Sequence, residues 1–395
     1  NTMSRICSLC CRDALEPAYW QDGSHAAVVH ICSHCGFAQR CGVGRRKNAA
    51  AGNGAKDPGV AVIRRTGKSA EDRNAGGALA LLGTYCDLTR PLTVLDIGAA
   101  RGTFVRKFLN AAPRASTIAI EPDAHRAWVC ANLNRSKVIA KPIEQVGLPD
   151  ARFDIVHIRH TLEHLASPLA VLVDLWRTLK QDGLLIVACR NIDAIRDEAI
   201  AEEWFKPTRR NFYSPNTLSR LLRAAGFEIV DAAGSCEREN ILLVAKKCNF
   251  TMRNLLADPL EVHATRALIS IYSSARQRNL LALNAIVAEL NTLSELGLAI
   301  CGSGRLFDSL VQYAGLDEES FRHFSEAQLG VDSSQCIESL KRDGPDSGDT
   351  IPGVIVVMSD THADKIADIA SRCTPHTRII HYSELVFRAY KRLAA

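Results

Sequence analysis

The chain has 395 residues, of which 47% are hydrophobic, and a formal net charge of +5 at pH 7. So small a charge over this length argues against a chain that binds polyanions along its whole surface. No run of residues approaches the roughly 18 apolar residues of a membrane helix, and the N-terminal stretch lacks a signal-peptide core. The sequence therefore predicts a cytoplasmic protein without a membrane span.

Two close pairs of cysteines lie near the N-terminus, among fourteen cysteines in all. Disulfides are rare in the cytoplasm, whereas two C-x-x-C pairs separated by 21 residues are typical of a structural zinc site. Residues 1–42 are too few to bury a core unaided, which favours a zinc-binding domain over a cluster of free thiols. A closed tetrahedral site leaves no position for chemistry, so this Zn²⁺ is expected to be structural. The predicted ligands are Cys7, Cys10, Cys32 and Cys35, and the neighbours that could replace one of them are Cys11, Cys41, His30 and His34.

Residues 43–75 are rich in glycine, alanine, asparagine, lysine and arginine. This composition is typical of a solvated, flexible linker. A basic arm for an acidic partner, such as a nucleotide, a phosphorylated substrate or RNA, is the alternative interpretation.

A glycine-rich turn follows the apolar run at residues 93–97 and leads directly into a helical pattern that begins near Phe104. Such a strand–turn–helix unit brings backbone N–H groups close to a ligand at a helix N-terminus. Asp96 would repel a pyrophosphate, which argues against a dinucleotide site of the G-x-G-x-x-G type. The next strand, 117–120, ends in Glu121, and an acid at this position can accept both hydroxyls of a ribose.

The following elements continue a strand–helix alternation. Strands are predicted at 137–140, 153–158 and 184–188, with a helix from Pro168 to residue 179 and a turn at 180–183. A helix at 217–225 precedes an antiparallel pair of strands at 227–232 and 241–245. Residues 76–248 are therefore predicted to form one domain.

A second strand–helix alternation begins after a helical connector at 249–296. Strands are predicted at 298–301, 321–324, 354–358 and 378–381, and helices at 305–313 and 363–373. This pattern predicts a second doubly wound sheet over residues 297–395. The Gly302-x-Gly304 turn could bind a nucleotide or could simply allow the helix and strand to pack closely.

The pattern from Asp96 to Gly102, together with Glu121, resembles the S-adenosylmethionine (SAM) site of class I methyltransferases, and so does the run at 162–187. The segment from Cys32 to Gln39 resembles the zinc segment of nucleotide-sugar C-methyltransferases. This resemblance implies an α/β protein with a zinc segment, a Rossmann-like SAM-binding domain and a C-terminal Rossmann-like domain that faces the substrate. The residues it assigns to SAM are Asp96, Gly98, Ala100, Gly102, Glu121, Pro122, Ile143 and His160.

Methyl transfer to a hydroxyl requires a base, and histidine is the natural one near neutral pH. The predicted catalytic residues are His160, His164 and Tyr213, and the predicted substrate-binding residues are Arg190, Asn191, Arg209 and Arg210. The sugar C-methyltransferases carry a Glu-His pair shortly before the next helix. This sequence has arginines and Tyr213 there, so O-methylation of a sugar or a nucleotide- or phosphate-linked sugar is favoured over C-methylation.

Two other functions remain open from the sequence. One is an RNA methyltransferase that uses the zinc segment and the basic linker to bind RNA, but no aromatic and basic platform for RNA is visible. The other is a non-catalytic scaffold that binds SAM. The presence of both Asp96 and Glu121 argues against a loss of SAM binding.

Overall fold

The computed structural model describes residues 6–20, 28–41, 70–195, 204–232, 239–248, 255–302, 305–317, 320–324, 352–358 and 377–394. The chain divides into two compact units. The first contains residues 1–50, 66–195 and 205–270, and the second contains residues 51–65, 196–204 and 271–395. The cysteine-rich segment and the predicted SAM-binding domain therefore belong to one unit rather than to two.

The strands of the first unit are β1 (Leu15–Tyr19), β2 (Val29–Cys32), β3 (Ala38–Arg40), β4 (Thr93–Ile97), β5 (Ser116–Ile120), β6 (Ser136–Ile139), β7 (Phe153–Arg159), β8 (Leu179–Arg190), β9 (Asn211–Phe212), β10 (Phe227–Asp231) and β11 (Asn240–Lys247). Its helices are α1 (Ala70–Tyr85), α2 (Thr103–Ala111), α3 (Ala124–Ala131), α4 (Pro168–Thr178) and α5 (Pro215–Ala224).

A seven-stranded sheet in the order β10-β11-β8-β7-β4-β5-β6 forms the centre of the first unit. Its strands are parallel except for β11, which pairs antiparallel with both β8 and β10. Both faces are buried, since Leu95 of β4 belongs to one hydrophobic cluster and Val94 belongs to the other. Strands buried on both faces explain the continuous apolar runs of the sequence. This mixed sheet confirms the predicted Rossmann-like arrangement and its antiparallel last pair.

A smaller antiparallel sheet in the order β1-β2-β3-β9 carries the cysteine-rich segment. Its outermost strand, β9, comes from the chain between β8 and α5, some 170 residues further along. The sequence did not predict this pairing because β9 has only two residues and no periodicity of its own. Through β9, the cysteine-rich segment is joined by main-chain hydrogen bonds to the domain that follows it.

Several boundaries differ from the sequence-based expectation. The helix α1 begins at Ala70, inside the predicted linker, whose residues 43–69 lie outside the described part of the chain. The predicted turn at 180–183 lies within β8, where the pairing with β7 shifts register between Phe153 and Ile155. Such an irregularity accommodates extra residues without ending the strand. A capping box at Ser214 starts α5 two residues earlier than predicted.

The long helix α6 (Pro259–Ser294) has 36 residues, which are shared between the two units. The second unit also contains β12 (Leu298–Cys301), α7 (Arg305–Ala314), β13 (Arg322–Phe324), β14 (Val354–Val357), β15 (Arg378–His381) and α8 (Tyr382–Ala394). Its strands form a parallel sheet in the order β13-β12-β14-β15, in agreement with the predicted strands. The predicted helix at 363–373 and residues Ser303 and Gly304 lie outside the described residues. Within the described ranges, no helix is both long and apolar enough to cross a membrane.

Candidate active site

A cavity of about 520 Å³ opens at the carboxyl ends of β4, β5 and β7. Open α/β sheets bind their ligands at this edge, and the volume is in the ordinary range for small-molecule sites. The cavity is lined by the turn after β4, the end of β5, the turn at 142–144 and the segment after β7. The sheet therefore gathers, at one edge, groups that lie far apart in the sequence.

In the turn between β4 and α2, every second residue has a left-handed backbone conformation, with φ of 74° at Gly98, 48° at Ala100 and 76° at Gly102. A Cβ atom added at Gly98 would lie 2.1 Å from Oγ1 of Thr161, so only glycine allows the turn to pack against the segment after β7. At Gly102, a built Cβ would lie 2.8 Å from Cδ1 of Leu133 and 2.9 Å from Sγ of Cys130 on α3. Gly98 thus shapes the cavity wall, and Gly102 sets the packing of α2.

Glu121 lies at the end of β5 with 4% of its surface exposed, and it lines the cavity. Its Oε2 accepts a hydrogen bond from the backbone N–H of Ala100 at 2.8 Å, and its Oε1 accepts one from Asp123 at 3.0 Å. A carboxylate has about four acceptor positions, so each oxygen retains capacity for a ligand hydroxyl. The turn and the acid are therefore joined in one fixed arrangement, which fits the ribose of SAM.

Asp96 and His157 form a buried pair at the base of the cavity. The carboxylate Oδ1 lies 2.7 Å from Nδ1 of His157, and the imidazole stacks on Phe104 with ring centroids 3.7 Å apart. Asp96 is only 2% exposed, although it lines the cavity. Its carboxylate is thus held by a protein partner and is almost sealed from the open part of the cavity.

His160 and His164 both line the cavity from the segment after β7. Nδ1 of His160 lies 3.2 Å from Oε1 of Glu163, and Nδ1 of His164 donates to the carbonyl oxygen of Thr208 at 2.7 Å. Since a carbonyl oxygen can only accept, the other ring nitrogen of His164 is left as an acceptor. Two histidines therefore lie at the cavity, each with one ring nitrogen next to a protein group.

All the residues predicted to contact SAM line the cavity except Gly102. Tyr213, predicted as catalytic, is fully buried, and its hydroxyl donates to the carbonyl of Leu162 at 3.3 Å. Burial, followed by the charges of Cys189 and Glu163, raises the pKa of Tyr213 well above its usual value. This placement corrects the prediction, because a sealed phenol beneath the cavity wall cannot reach a substrate.

None of the predicted substrate-binding residues lines this cavity. Arg190 pairs with Glu239 at 3.0 Å, and Asn191 caps the short turn that follows it. The backbone of Arg210 links the segment after β7 to β3, and Arg209 precedes it in the same stretch. The role of these four residues toward a substrate stays a prediction.

Several cavity residues were not predicted from the sequence, namely Thr103, Phe104, Arg126, His157 and Arg159. His157 lies between Val156 and Ile158 in the buried part of β7, and a polar residue at a buried strand position is the pattern that could have revealed it. Arg126 lies on α3, and no pattern in the sequence marks it as a cavity residue, because its position depends on how α3 packs against the sheet.

The four predicted zinc ligands come together, with their Sγ atoms all within 4.8 Å of one another. Cys7 and Cys35 lie 3.6 Å apart, as do Cys10 and Cys32. Ligands about 2.3 Å from a tetrahedral Zn²⁺ would be separated by roughly 3.8 Å, so this spacing fits the ion. Among the described residues this is the one such cluster.

The two cysteine pairs also share one backbone conformation. In each pair, the residue after the second cysteine has a positive φ, 57° at Cys11 and 74° at Gly36, and donates its N–H to the carbonyl of the first cysteine at 2.9 Å. The alternative ligand His34 instead bonds to the carbonyl of Leu255 at 3.0 Å. Matched turns that present four thiols inward are the arrangement a closed zinc site requires.

Comparison with known proteins shows what the central domain is similar to. Residues 68–232 match the family model described as a methyltransferase domain. This part of the chain is similar to methyltransferase domains. Its glycine-rich turn and Glu121 line the cavity together, as the resemblance to class I methyltransferases predicts.

The individual relatives and solved structures described next each match less than half of this chain. An uncharacterised methyltransferase of Schizosaccharomyces pombe is 29% identical over 114 residues, which are 26% of this chain and 40% of that protein. Among solved structures, a SAM-dependent methyltransferase from Aquifex aeolicus is 18% identical, covers 45% of this chain and 94% of its own, and has a TM-score of 0.37. The 1,6-didemethyltoxoflavin N1-methyltransferase of Burkholderia thailandensis, solved with S-adenosylhomocysteine, is 24% identical. The match covers 46% of this chain and 79% of that chain, with a TM-score of 0.37.

Proposed function

We propose that the protein transfers a methyl group from SAM to a hydroxyl of a small substrate, a sugar or a nucleotide- or phosphate-linked sugar. The observation that carries this proposal is that one cavity holds both the ribose-binding arrangement of Glu121 and the two histidines after β7. SAM supplies an activated methyl group, so the chain must bind both substrates, align them, exclude water and take up a proton.

The acid–base groups of the cavity favour O-methylation over C-methylation. His160 and His164 each use one ring nitrogen for a protein partner and keep the other for a substrate. Tyr213 is buried, so its phenol does not reach the cavity to assist removal of a carbon-bound proton. A neutral imidazole is a base strong enough to assist transfer from a hydroxyl near neutral pH.

The cysteine-rich segment is proposed to bind one structural Zn²⁺ through Cys7, Cys10, Cys32 and Cys35. The matched turns and the Sγ spacing support this assignment. Because all four positions of the tetrahedron would be filled by thiolates, the ion contributes folding free energy and no chemistry.

The test is a methyl-transfer screen of the purified full chain with SAM and a panel of free, phosphorylated and nucleotide-linked sugars. Formation of S-adenosylhomocysteine reports turnover, and mass spectrometry with NMR of the product locates the new methyl group. We expect methylation at oxygen with at least one sugar, lost in His160→Ala or in His164→Ala. A methyl group on carbon, or turnover with RNA alone, would contradict the proposal.

A further inference from the structure

Glu163 is a buried carboxylate immediately behind the wall of the cavity. It is 2% exposed, and its Oε1 receives the backbone N–H of Arg190 at 2.8 Å and lies 3.2 Å from Nδ1 of His160. Burying a carboxylate is costly unless it is paired or well hydrogen-bonded. A group held at such cost directly beside a cavity histidine suggests a role toward that histidine.

The surroundings keep Glu163 ionised. Burial by itself would raise the pKa of Glu163, but the hydrogen bond from His160, the charge of that ring when it is protonated, and the backbone N–H of Arg190 bring the pKa below its usual value. An ionised carboxylate can only accept hydrogen bonds, so Nδ1 of His160 must donate. The lone pair of the neutral imidazole is then on Nε2, the nitrogen left for the cavity.

The other titratable groups against Glu163 stay neutral. These are the thiol of Cys189 on β8 and the phenol of Tyr213 after β9. Burial, followed by the charge of Glu163, raises the pKa of Cys189 well above its usual value, and burial likewise raises that of Tyr213. Of the described side chains facing the carboxylate, His160 is therefore the one that can exchange a proton with the cavity.

The backbone of His160 is held in a strained conformation. Its φ is 48°, in the left-handed region that non-glycine residues rarely adopt, and its N–H donates to the carbonyl of Ala188 at 2.8 Å. The next residue, Thr161, donates its hydroxyl to Arg159 and also lies 3.2 Å from the carbonyl of Ile97. Strained residues of this kind persist where the surrounding structure over-determines them, which is common at functional sites.

We propose that Glu163 is a positioning residue that fixes the tautomer and orientation of His160 and stabilises its protonated form during methyl transfer. This inference rests on the proposed function. As the acceptor O–H bond breaks, its proton passes to Nε2 of His160, and the oxygen electron pair forms the bond to the methyl carbon. The carbon–sulfur bond breaks with its electrons on sulfur, and the imidazolium later returns the proton to water.

The variant Glu163→Gln tests whether the negative charge of Glu163 is needed for methyl transfer. Its amide oxygen can still accept from Arg190 and from Nδ1 of His160, but the negative charge that stabilises the imidazolium is gone. We expect kcat to fall roughly 100-fold with the KM for SAM within about twofold, and the acidic limb of the pH–rate profile to move to lower pH. Glu163→Asp, which keeps the charge, should recover part of the rate. Unchanged kcat and an unchanged profile in Glu163→Gln would overturn the proposal.

A second measurement does not depend on turnover or on folding of the Gln variant. Nitrogen-15 NMR of labelled histidines, with His160→Gln used for assignment, reports which ring nitrogen carries the proton. We expect the Nδ1–H tautomer in the wild-type chain and a shift towards Nε2–H in Glu163→Ala. If no sugar is methylated but this tautomer is found, the proposed function fails while the pairing stands. A wild-type Nε2–H tautomer would overturn the pairing even in an active enzyme.

Discussion

Gln39 and Asn211 are antiparallel partners in the small sheet, and this pair joins the cysteine-rich segment to the wall of the cavity. The side-chain amide of Asn211 donates to the carbonyls of Leu162 and Leu165, at 3.2 and 2.8 Å, on the turn that contains Glu163. The N–H of Arg210 donates to the carbonyl of Glu163 at 2.7 Å. The cysteine-rich segment therefore supports the turn at residues 162–165 through a continuous set of hydrogen bonds.

Loss of the metal should loosen that turn. We expect Cys32→Ser, or removal of Zn²⁺ by a chelator, to lower the Tm by roughly 10 °C or more and to speed amide exchange at residues 160–165 and 210–213. Hydrogen–deuterium exchange and metal analysis measure both effects. Cys11→Ser is the matched control, because Cys11 is exposed and lies outside the cluster. Equal effects in the two variants would contradict a role for the cluster.

Asn211→Asp should break the support of the same turn without changing the size of the side chain. Asn211 is 1% exposed, and the substitution places a carboxylate against two carbonyl oxygens. We expect a loss of about 2–4 kcal/mol in the free energy of unfolding, measured by urea denaturation. The exposed Asn110 provides the control, since Asn110→Asp should cost less than about 0.5 kcal/mol. A native-like stability in Asn211→Asp would show that the turn is held by other contacts.

Glu121→Gln should weaken SAM binding. An amide nitrogen cannot accept a ribose hydroxyl, and a hydrogen bond to a charged group is worth about 1.5–3 kcal/mol, so the Kd for SAM should rise roughly 10- to 100-fold in calorimetry. Glu144→Gln removes a charge from the same cavity at an exposed position and should change the Kd less than about threefold. Equal effects would indicate that only the overall charge of the cavity matters.

Gly98→Ala should be far more damaging than the same substitution in a helix. At Gly98 the new Cβ would meet Oγ1 of Thr161, and the residue would adopt a φ of 74°. We expect the free energy of unfolding to fall by about 2 kcal/mol or more, and SAM binding to be lost. Gly77 lies exposed in α1 with nothing within 4 Å of a built Cβ, so Gly77→Ala should stabilise the chain by about 0.4–1 kcal/mol. Denaturant unfolding of the two variants gives both values, and a stable, SAM-binding Gly98→Ala variant would contradict the geometry of the turn.

The stability of the first unit should depend on the ionisation of Glu163. Its pKa is lower in the folded chain than its usual value of 4.5, so the carboxylate stabilises the fold above that pH. This contribution is lost as the pH falls through the folded-state pKa. The free energy of unfolding of the wild type should therefore drop more steeply below about pH 4.5 than that of Glu163→Gln. Parallel curves for the two proteins would show that Glu163 is not paired in the folded state.

Much of the central domain could be predicted because its information is local. The strand, turn and helix around Asp96–Gly102 follow from apolar runs and glycine spacing, and the structure places this turn and Glu121 together on the cavity. The spacing of the two C-x-x-C pairs likewise predicts that their thiols lie close together, and the four thiols do converge. In each case a short stretch of chain carries both the geometry and the chemistry.

Contacts between distant segments could not be predicted in this way. The sequence predicted Tyr213 as a catalytic residue. The neighbouring strand β9 pairs with β3, and Tyr213 is buried beside it. Glu163 lies between the predicted site residues His160 and His164 in the sequence, and only the approach of β8 shows that its carboxylate meets the backbone N–H of Arg190 and Nδ1 of His160. His157 and Asp96 are likewise 61 residues apart and meet through strand register.

The sequence by itself determined the doubly wound architecture, the SAM-type turn and the set of thiols, because periodicity, glycine positions and ligand spacing are properties of short segments. Only the tertiary structure decided which side chains share the cavity, which are sealed beneath it, and that the cysteine-rich segment supports the active-site turn. Those relationships depend on strand order, register and burial, which bring together residues with no local pattern in common.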